Sequence, residues 1–192
     1  SKISQKAIEQ IIEFEVTSKE YYEKVLQKPE WPGVSSGITI GIGYDLGYNT
    51  KEQIAEDWGG ILSPEVVSAM QKYASLTEYN AKNVLSKARK EIIVPWDAAI
   101  KVFSEKTIPK WIAIVEKTLP NTNMLNEDCL GALVSLTYNR GASYISIGDR
   151  YKEMRNIKSH MKNQDFDFIP YEITSMKRLW PDTKGLLIRR DK

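Results

Sequence analysis

The chain has 192 residues, with 27 Lys and Arg, 25 Asp and Glu, one His, one Cys and a net charge of +2. One histidine (His160) and one cysteine (Cys129) cannot assemble a Cys/His zinc site, and a lone cysteine cannot close an internal disulfide. There is no phosphate loop of the G-x-x-x-x-G-K-[ST] type, so carboxylates are the groups present in number for acid–base chemistry, and we expect no metal or cofactor.

The elements are predicted from the N-terminus as follows. Ile3, Ala7, Ile8, Ile11 and Ile12 follow helical spacing, with Ser4 as N-cap and Glu15 at the trailing end. Residues 29–48 differ: five of the chain's 11 glycines, at 33, 37, 41, 43 and 47, fall there beside Pro29 and Pro32. Ile38–Tyr44 alternates with period two and predicts a strand, in a small hairpin or meander with close backbone approach.

Helices then resume. Thr50 with Gln53 reads as a capping box ending at Gly59–Gly60, and Ser63–Pro64 as a cap followed by Pro at the first helical position. Thr77 opens a helix to about Lys90. Pro95 breaks the chain before Trp96, and Pro109 breaks or kinks it before Trp111. Residues 126–139 are apolar nearly all round and predict a buried central helix. Segments near 149–163, 166–179 and 184–192 complete a mainly α, α+β chain: a small glycine-rich β element near the N-terminus and a larger helical body.

We expect a single domain of two lobes. The β-containing lobe covers about 14–60, and the helical lobe about 61–192, packed with the N-terminal helix. The absent initiator Met and the abrupt end suggest a piece excised from a longer protein, and no signal peptide is visible. No apolar run reaches the roughly 18 residues that span a bilayer, so no membrane insertion is expected. Residues 149–192 carry 11 basic and 7 acidic residues, against 16 and 18 before them. That excess is too small for a nucleic-acid stripe, and no nucleic-acid partner is expected. Cys129 reads as a small buried hydrophobe and His160 as an ordinary surface helix residue.

Three residues in the first 45 could form a reaction centre: Glu15 at a helix end, Thr39 in the strand and Asp45 just after it. A half-buried carboxylic acid that stays protonated, facing an ionised carboxylate and a hydroxyl that hold a water, is the arrangement of most glycosidases. Each has a plainer reading: an exposed helix-end acid, a β-branched strand residue and a turn-former beside glycine. Glu13, Glu20, Glu23 and Glu30 lie in the same region, and pattern alone does not separate them from Glu15.

Gly37-Ile38-Thr39-Ile40-Gly41-Ile42-Gly43-Tyr44 resembles the G-x-x-T-I-G-x-G-[HY] signature of phage-type lysozymes. Phe14-Glu15 resembles that superfamily's F-E-G segment, with Val16 in place of glycine. Leu133–Gly141 resembles its central-helix motif L-V-S-F-x-F-N-x-G, and Gly185–Arg190 its G-L-x-x-R-R. In ordinary phage lysozymes the second catalytic Asp stands six residues before the Thr, where this chain has Gly33; the nearest upstream carboxylate is Glu30. Asp45 instead stands six residues after Thr39, in Gly43-Tyr44-Asp45-Leu46-Gly47. That arrangement resembles the toxin branch, the pesticin-like lysozymes and wall-cleaving domains of secretion effectors.

The resemblance implies a lysozyme-like fold and hydrolysis of the β-1,4 bond between N-acetylmuramic acid and N-acetylglucosamine in peptidoglycan. Glu15 would be the general acid, with Asp45 and Thr39 positioning water. It implies that Asn139 faces the glycan, and Trp31 and Tyr44 are aromatic candidates for sugar stacking. Arg189 and Arg190 could pair with Glu15 or the sheet, or be surface ion pairs. The expected setting is an antibacterial toxin or effector domain, monomeric, acting in the periplasm or wall of a target bacterium. It would arrive by a secretion system or delivery domains, and an immunity protein would guard the producer. A phage endolysin and a non-catalytic peptidoglycan-binding module are the alternatives.

Overall fold

The first helix begins where the Ser4 hydroxyl turns back onto the chain. Its Oγ accepts the Ala7 N–H at 3.1 Å, and α1 runs over Gln5–Val16. The computed structural model describes residues 2–176 and is mainly helical, with one two-stranded antiparallel sheet, so the α+β, mainly α class is observed. The segment Gly185–Arg190, with Arg189 and Arg190, lies outside the described residues.

Internal contacts divide the chain into two units. One joins the residues up to Phe14 with those from Ile108 onward; the other is Glu15–Thr107. The unit that holds the β element therefore extends far past residue 60, because the helices between 51 and 107 pack on the β element rather than forming a separate body.

The Glu15–Thr107 unit opens at the end of α1. Thr17 takes a left-handed φ of 67°, and the Ser18 N–H returns to the Val16 carbonyl at 2.7 Å, closing a three-residue turn. A β-branched residue in this region carries strain of about 1–3 kcal/mol. Ser18 then caps α2 (Lys19–Tyr21), which runs into a π turn, Tyr22–Leu26. Tyr22 is fully buried; its hydroxyl donates to the Val94 carbonyl at 2.8 Å, and its ring meets Trp96 edge-on at 5.2 Å.

The small hairpin that the glycines suggested is present, and its turn falls inside the expected Ile38–Tyr44 strand: β1 (Thr39–Ile40) pairs with β2 (Tyr44–Asp45), Thr39 opposite Asp45 and Ile40 opposite Tyr44. The chain reverses because Gly41 and Gly43 both adopt positive φ, 54° and 63°, which glycine enters without steric cost. Gly41 also lies against Trp58, where a β-carbon would stand 3.2 Å from the indole ring.

Helices α3 (Lys51–Trp58), α4 (Pro64–Gln71), α5 (Glu78–Lys82), α6 (Leu85–Glu91) and α7 (Trp96–Val102) complete the unit. The Thr50 and Ser63 hydroxyls cap α3 and α4 as their sequences suggest. Gln53 reaches forward to Asp57 rather than back to Thr50, so only half of the capping box forms. The helix expected from Thr77 to Lys90 breaks at Asn83–Val84 into α5 and α6. Ile38, Ile40, Leu46, Ile54, Trp58 and Met70 are all at most 1% exposed and form the core beside the hairpin.

In the other unit, α1 crosses α9 (Glu127–Arg140) at Gly131, where a β-carbon would stand 2.6 Å from that of Ala7. Only glycine permits this approach. Asn126 caps α9, and from Leu130 onward no residue of the helix is exposed. Cys129, one residue earlier, is exposed rather than buried, because the burial begins only after the first turn. α8 (Ile108–Thr118) packs on α9, with Trp111 edge-on to Tyr138 at 5.5 Å. Pro109 is the second residue of α8, and the residues before it, Phe103–Thr107, form a π turn that runs on from α7, so the helical run continues through Pro109 with its hydrogen-bond pattern disturbed just ahead of it. α10 (Lys152–Asn163) and α11 (Ile169–Ser175) complete this unit. His160 is not an ordinary surface residue: its Nε2 lies 3.3 Å from the Glu172 carboxylate, and its ring stacks on Phe168.

Candidate active site

Glu15, Thr39 and Asp45 all belong to the Glu15–Thr107 unit. Glu15 is half-buried, one residue before the end of α1 and two before the strained Thr17 turn. The reversal follows one residue after Val16, which is itself 2% exposed; the turn that glycine makes freely is made here by threonine.

The hairpin brings Thr39 and Asp45 together. Leu46 N–H bonds the Ile38 carbonyl at 2.8 Å, and Thr39 and Asp45 are the next pair along the ladder. That makes them a non-hydrogen-bonded pair, the kind whose side chains approach most closely on one face. Thr39 is 8% exposed, and its Oγ1 donates to the Gly37 carbonyl at 3.3 Å.

The Asp45 carboxylate is held by backbone amides. Oδ2 accepts the Gly37 N–H at 3.1 Å and Oδ1 the Gly47 N–H at 2.8 Å, capping a short 3-10 turn, Leu46–Tyr48. The two glycines are required by this cradle. A β-carbon on Gly37 would meet Asp45 Oδ1 and stand 2.5 Å from Gly47 Cα; one on Gly47 would collide with the Leu76 carbonyl.

Burial pushes the Asp45 carboxyl above the usual aspartate range, against the opposing pull of the Gly37, Gly47 and Tyr48 amides. A raised value means that the folded chain holds this proton more tightly than the unfolded chain. Asp45 therefore contributes stability that is full below its unfolded value of about 3.9 and is lost as pH rises through its folded value. Urea midpoints measured from about pH 3 to about pH 7 should show this loss, and Asp45→Asn should flatten that stretch of the curve. A curve of unchanged shape in the variant would assign the titration to another group.

The structure adds a residue to this row. Glu30 N–H bonds the Thr39 carbonyl at 3.0 Å and Thr39 N–H bonds the Glu30 carbonyl at 2.8 Å, so Glu30 pairs with Thr39 on the edge away from Asp45. Directly paired residues share a face, and Glu30 is exposed. Nothing in the spacing of residues 30 and 39 announces this pairing; the intervening loop decides it.

The sequence-predicted binding residues separate. Trp31 is half-buried, its Nε1–H donating to the Ser36 carbonyl at 2.9 Å. Tyr44 does not present a face to a sugar. It is 8% exposed, edge-on to Trp58 at 5.4 Å, and its hydroxyl donates to the buried Asp57 at 2.5 Å. Burial and the Asp57 carboxylate hold that hydroxyl protonated far above its usual range. Its place near the glycine-rich element made Tyr44 a stacking candidate, but its side chain points to the opposite face from Thr39 and Asp45, into the core. Asn139 is half-buried in the last turn of α9, in the other unit. A cavity of about 590 Å³ also lies in that unit, lined largely by apolar side chains of α1, α9 and α11 and by none of the three candidates.

A family model described as a domain of unknown function (DUF8812) matches residues 10–108, just over half of the chain, and the chain belongs to that family. The match is nearly coextensive with the Glu15–Thr107 unit, so the family's defining segment is the one that carries Glu15, Thr39 and Asp45. No curated protein matches the chain.

Proposed function

We propose that the chain is a peptidoglycan hydrolase of lysozyme-like fold, a muramidase that cleaves the β-1,4 bond between N-acetylmuramic acid and N-acetylglucosamine. The observation that carries this reading is the close pairing of Thr39 with a cradled, half-buried Asp45, within the segment that defines the family. Glu15 donates its proton to the leaving glycosidic oxygen as the bond to the anomeric carbon breaks. Water attacks that carbon, oriented by the Thr39 hydroxyl and the Asp45 carboxylate, which takes up the proton the water sheds and whose negative charge stabilises the oxocarbenium-like transition state. The setting that suits the sequence motifs is an antibacterial toxin or effector domain acting on the wall of a target cell.

Digestion of purified peptidoglycan followed by mass spectrometry tests the reaction. Products ending in reducing muramic acid are expected; anhydro-muramic ends would replace hydrolysis with lytic transglycosylation. A second reading has one observation behind it. Both Asp45 oxygens already accept backbone N–H groups, as a purely structural carboxylate does. On that reading the chain binds glycan without turnover, and the same digest would release no fragments while the protein still sediments with the wall.

A further inference from the structure

An ammonium stands against two aromatic rings, one of which is tied to the peptide that holds Asp45. Lys82 Nζ lies 5.6 Å from the Trp31 ring centroid and 5.7 Å from that of Tyr79. Tyr79 and Lys82 are three residues apart on α5 and so share a face of the helix. Tyr79 is 71% exposed, Lys82 is exposed, and among the described residues Lys82 has no carboxylate partner.

One peptide connects this cluster to the site. The Ser36 carbonyl accepts the Trp31 Nε1–H at 2.9 Å and the Glu78 N–H at 3.0 Å. The N–H on the other side of the same peptide, that of Gly37, donates to Asp45 Oδ2 at 3.1 Å. The two hydrogen bonds and the width of one peptide place Trp31 Nε1 within about 8 Å of the Asp45 carboxylate. That is the span of one or two sugar rings. The cluster is also fixed in place, since Gly37 bridges to Thr77 just before α5.

We infer that Trp31, Tyr79 and Lys82 form a subsite for a sugar that carries a carboxylate, beside the Asp45 cradle. Aromatic faces pack against the apolar C–H faces of pyranose rings. An ammonium seated against two π-faces is partly stripped of water while keeping N–H donors for an anion. In a peptidoglycan strand the unit with these properties is N-acetylmuramic acid that carries no stem peptide, whose lactyl ether ends in a free carboxylate; a stem peptide converts that carboxyl to an amide, and N-acetylglucosamine has none. The inference rests on the proposed glycan substrate and adds to it the determinant that selects muramic acid free of its stem peptide.

The test uses Glu15→Gln protein to prevent turnover and two tetrasaccharides of equal length without stem peptides. One alternates N-acetylglucosamine with N-acetylmuramic acid; the other is all N-acetylglucosamine. Calorimetry of the parent should show tighter binding of the carboxylate-bearing ligand, with a preference that shrinks as salt is raised. Lys82→Met, which keeps the apolar stem, should weaken that ligand about fivefold, the upper range for an exposed charge pair, and leave the neutral ligand unchanged. Trp31→Phe, which keeps a ring, should retain the preference. Equal loss for both ligands, or no loss for either, in Lys82→Met would overturn the subsite while leaving the hydrolase reading intact. A parent that binds neither tetrasaccharide would overturn both.

Discussion

Glu15→Gln is expected to abolish the loss of turbidity that the chain causes in suspensions of purified cell walls. A general acid contributes about a hundredfold to ten-thousandfold to rate, so residual activity should fall at least a hundredfold. Glutamine keeps the size of the side chain and its capacity to hydrogen-bond, but has no proton to give to the leaving oxygen. Glu15 is half-buried and glutamine fills the same space, so the thermal midpoint and circular dichroism should stay close to those of the parent. Glu13, exposed two residues earlier on the same helix, provides the control. Glu13→Gln should retain full activity. Equal activity in the two variants would remove Glu15 from the mechanism.

The parts of this molecule that could be read from its sequence are those decided within a few residues. Ser4, Thr50 and Ser63 each bond an amide three positions on, and such caps depend on local backbone alone. Thr39 and Asp45 were also legible together, because the hairpin between them is short. What escaped the sequence was set by partners far along the chain. The glycines at 41 and 43 suggested a hairpin, but the place of its turn, inside Ile38–Tyr44, is set by the positive φ that both adopt. Glu30 reaches the row through backbone pairing with Thr39, which no side-chain pattern records. Cys129 looked buried because its helix is apolar, and it is exposed because packing begins one residue later. Lys82 gave no signal at all: a lysine on a short helix gains meaning only when Trp31, from far back in the chain, joins Tyr79 of the same helix beside it.

The cradle around Asp45 yields the second large effect. Both carboxylate oxygens accept backbone N–H groups, from Gly37 and Gly47. In Asp45→Asn one of these amides would face an NH₂ group, leaving a donor unsatisfied at a cost of about 1–3 kcal/mol. The variant should therefore lose most of its activity and show a lower urea midpoint as well. That double loss does not by itself separate chemistry from structure, and two further variants do. Gly37→Ala leaves the carboxylate chemically intact but drives a methyl group onto it and to 2.6 Å from the Gly47 nitrogen. Backbone lies on the far side, so the carboxylate must leave its cradle, and activity should fall with Asp45 still present. Glu30→Gln removes the other carboxylate of the row. Glu30 is exposed and its pairing with Thr39 runs through backbone, so this variant should fold and cleave like the parent. If Glu30→Gln is the variant that loses cleavage while Asp45→Asn keeps it, the acting carboxylate stands upstream of Thr39. The site would then follow the order of ordinary phage lysozymes, with Asp45 left as the cap that holds the two glycines together.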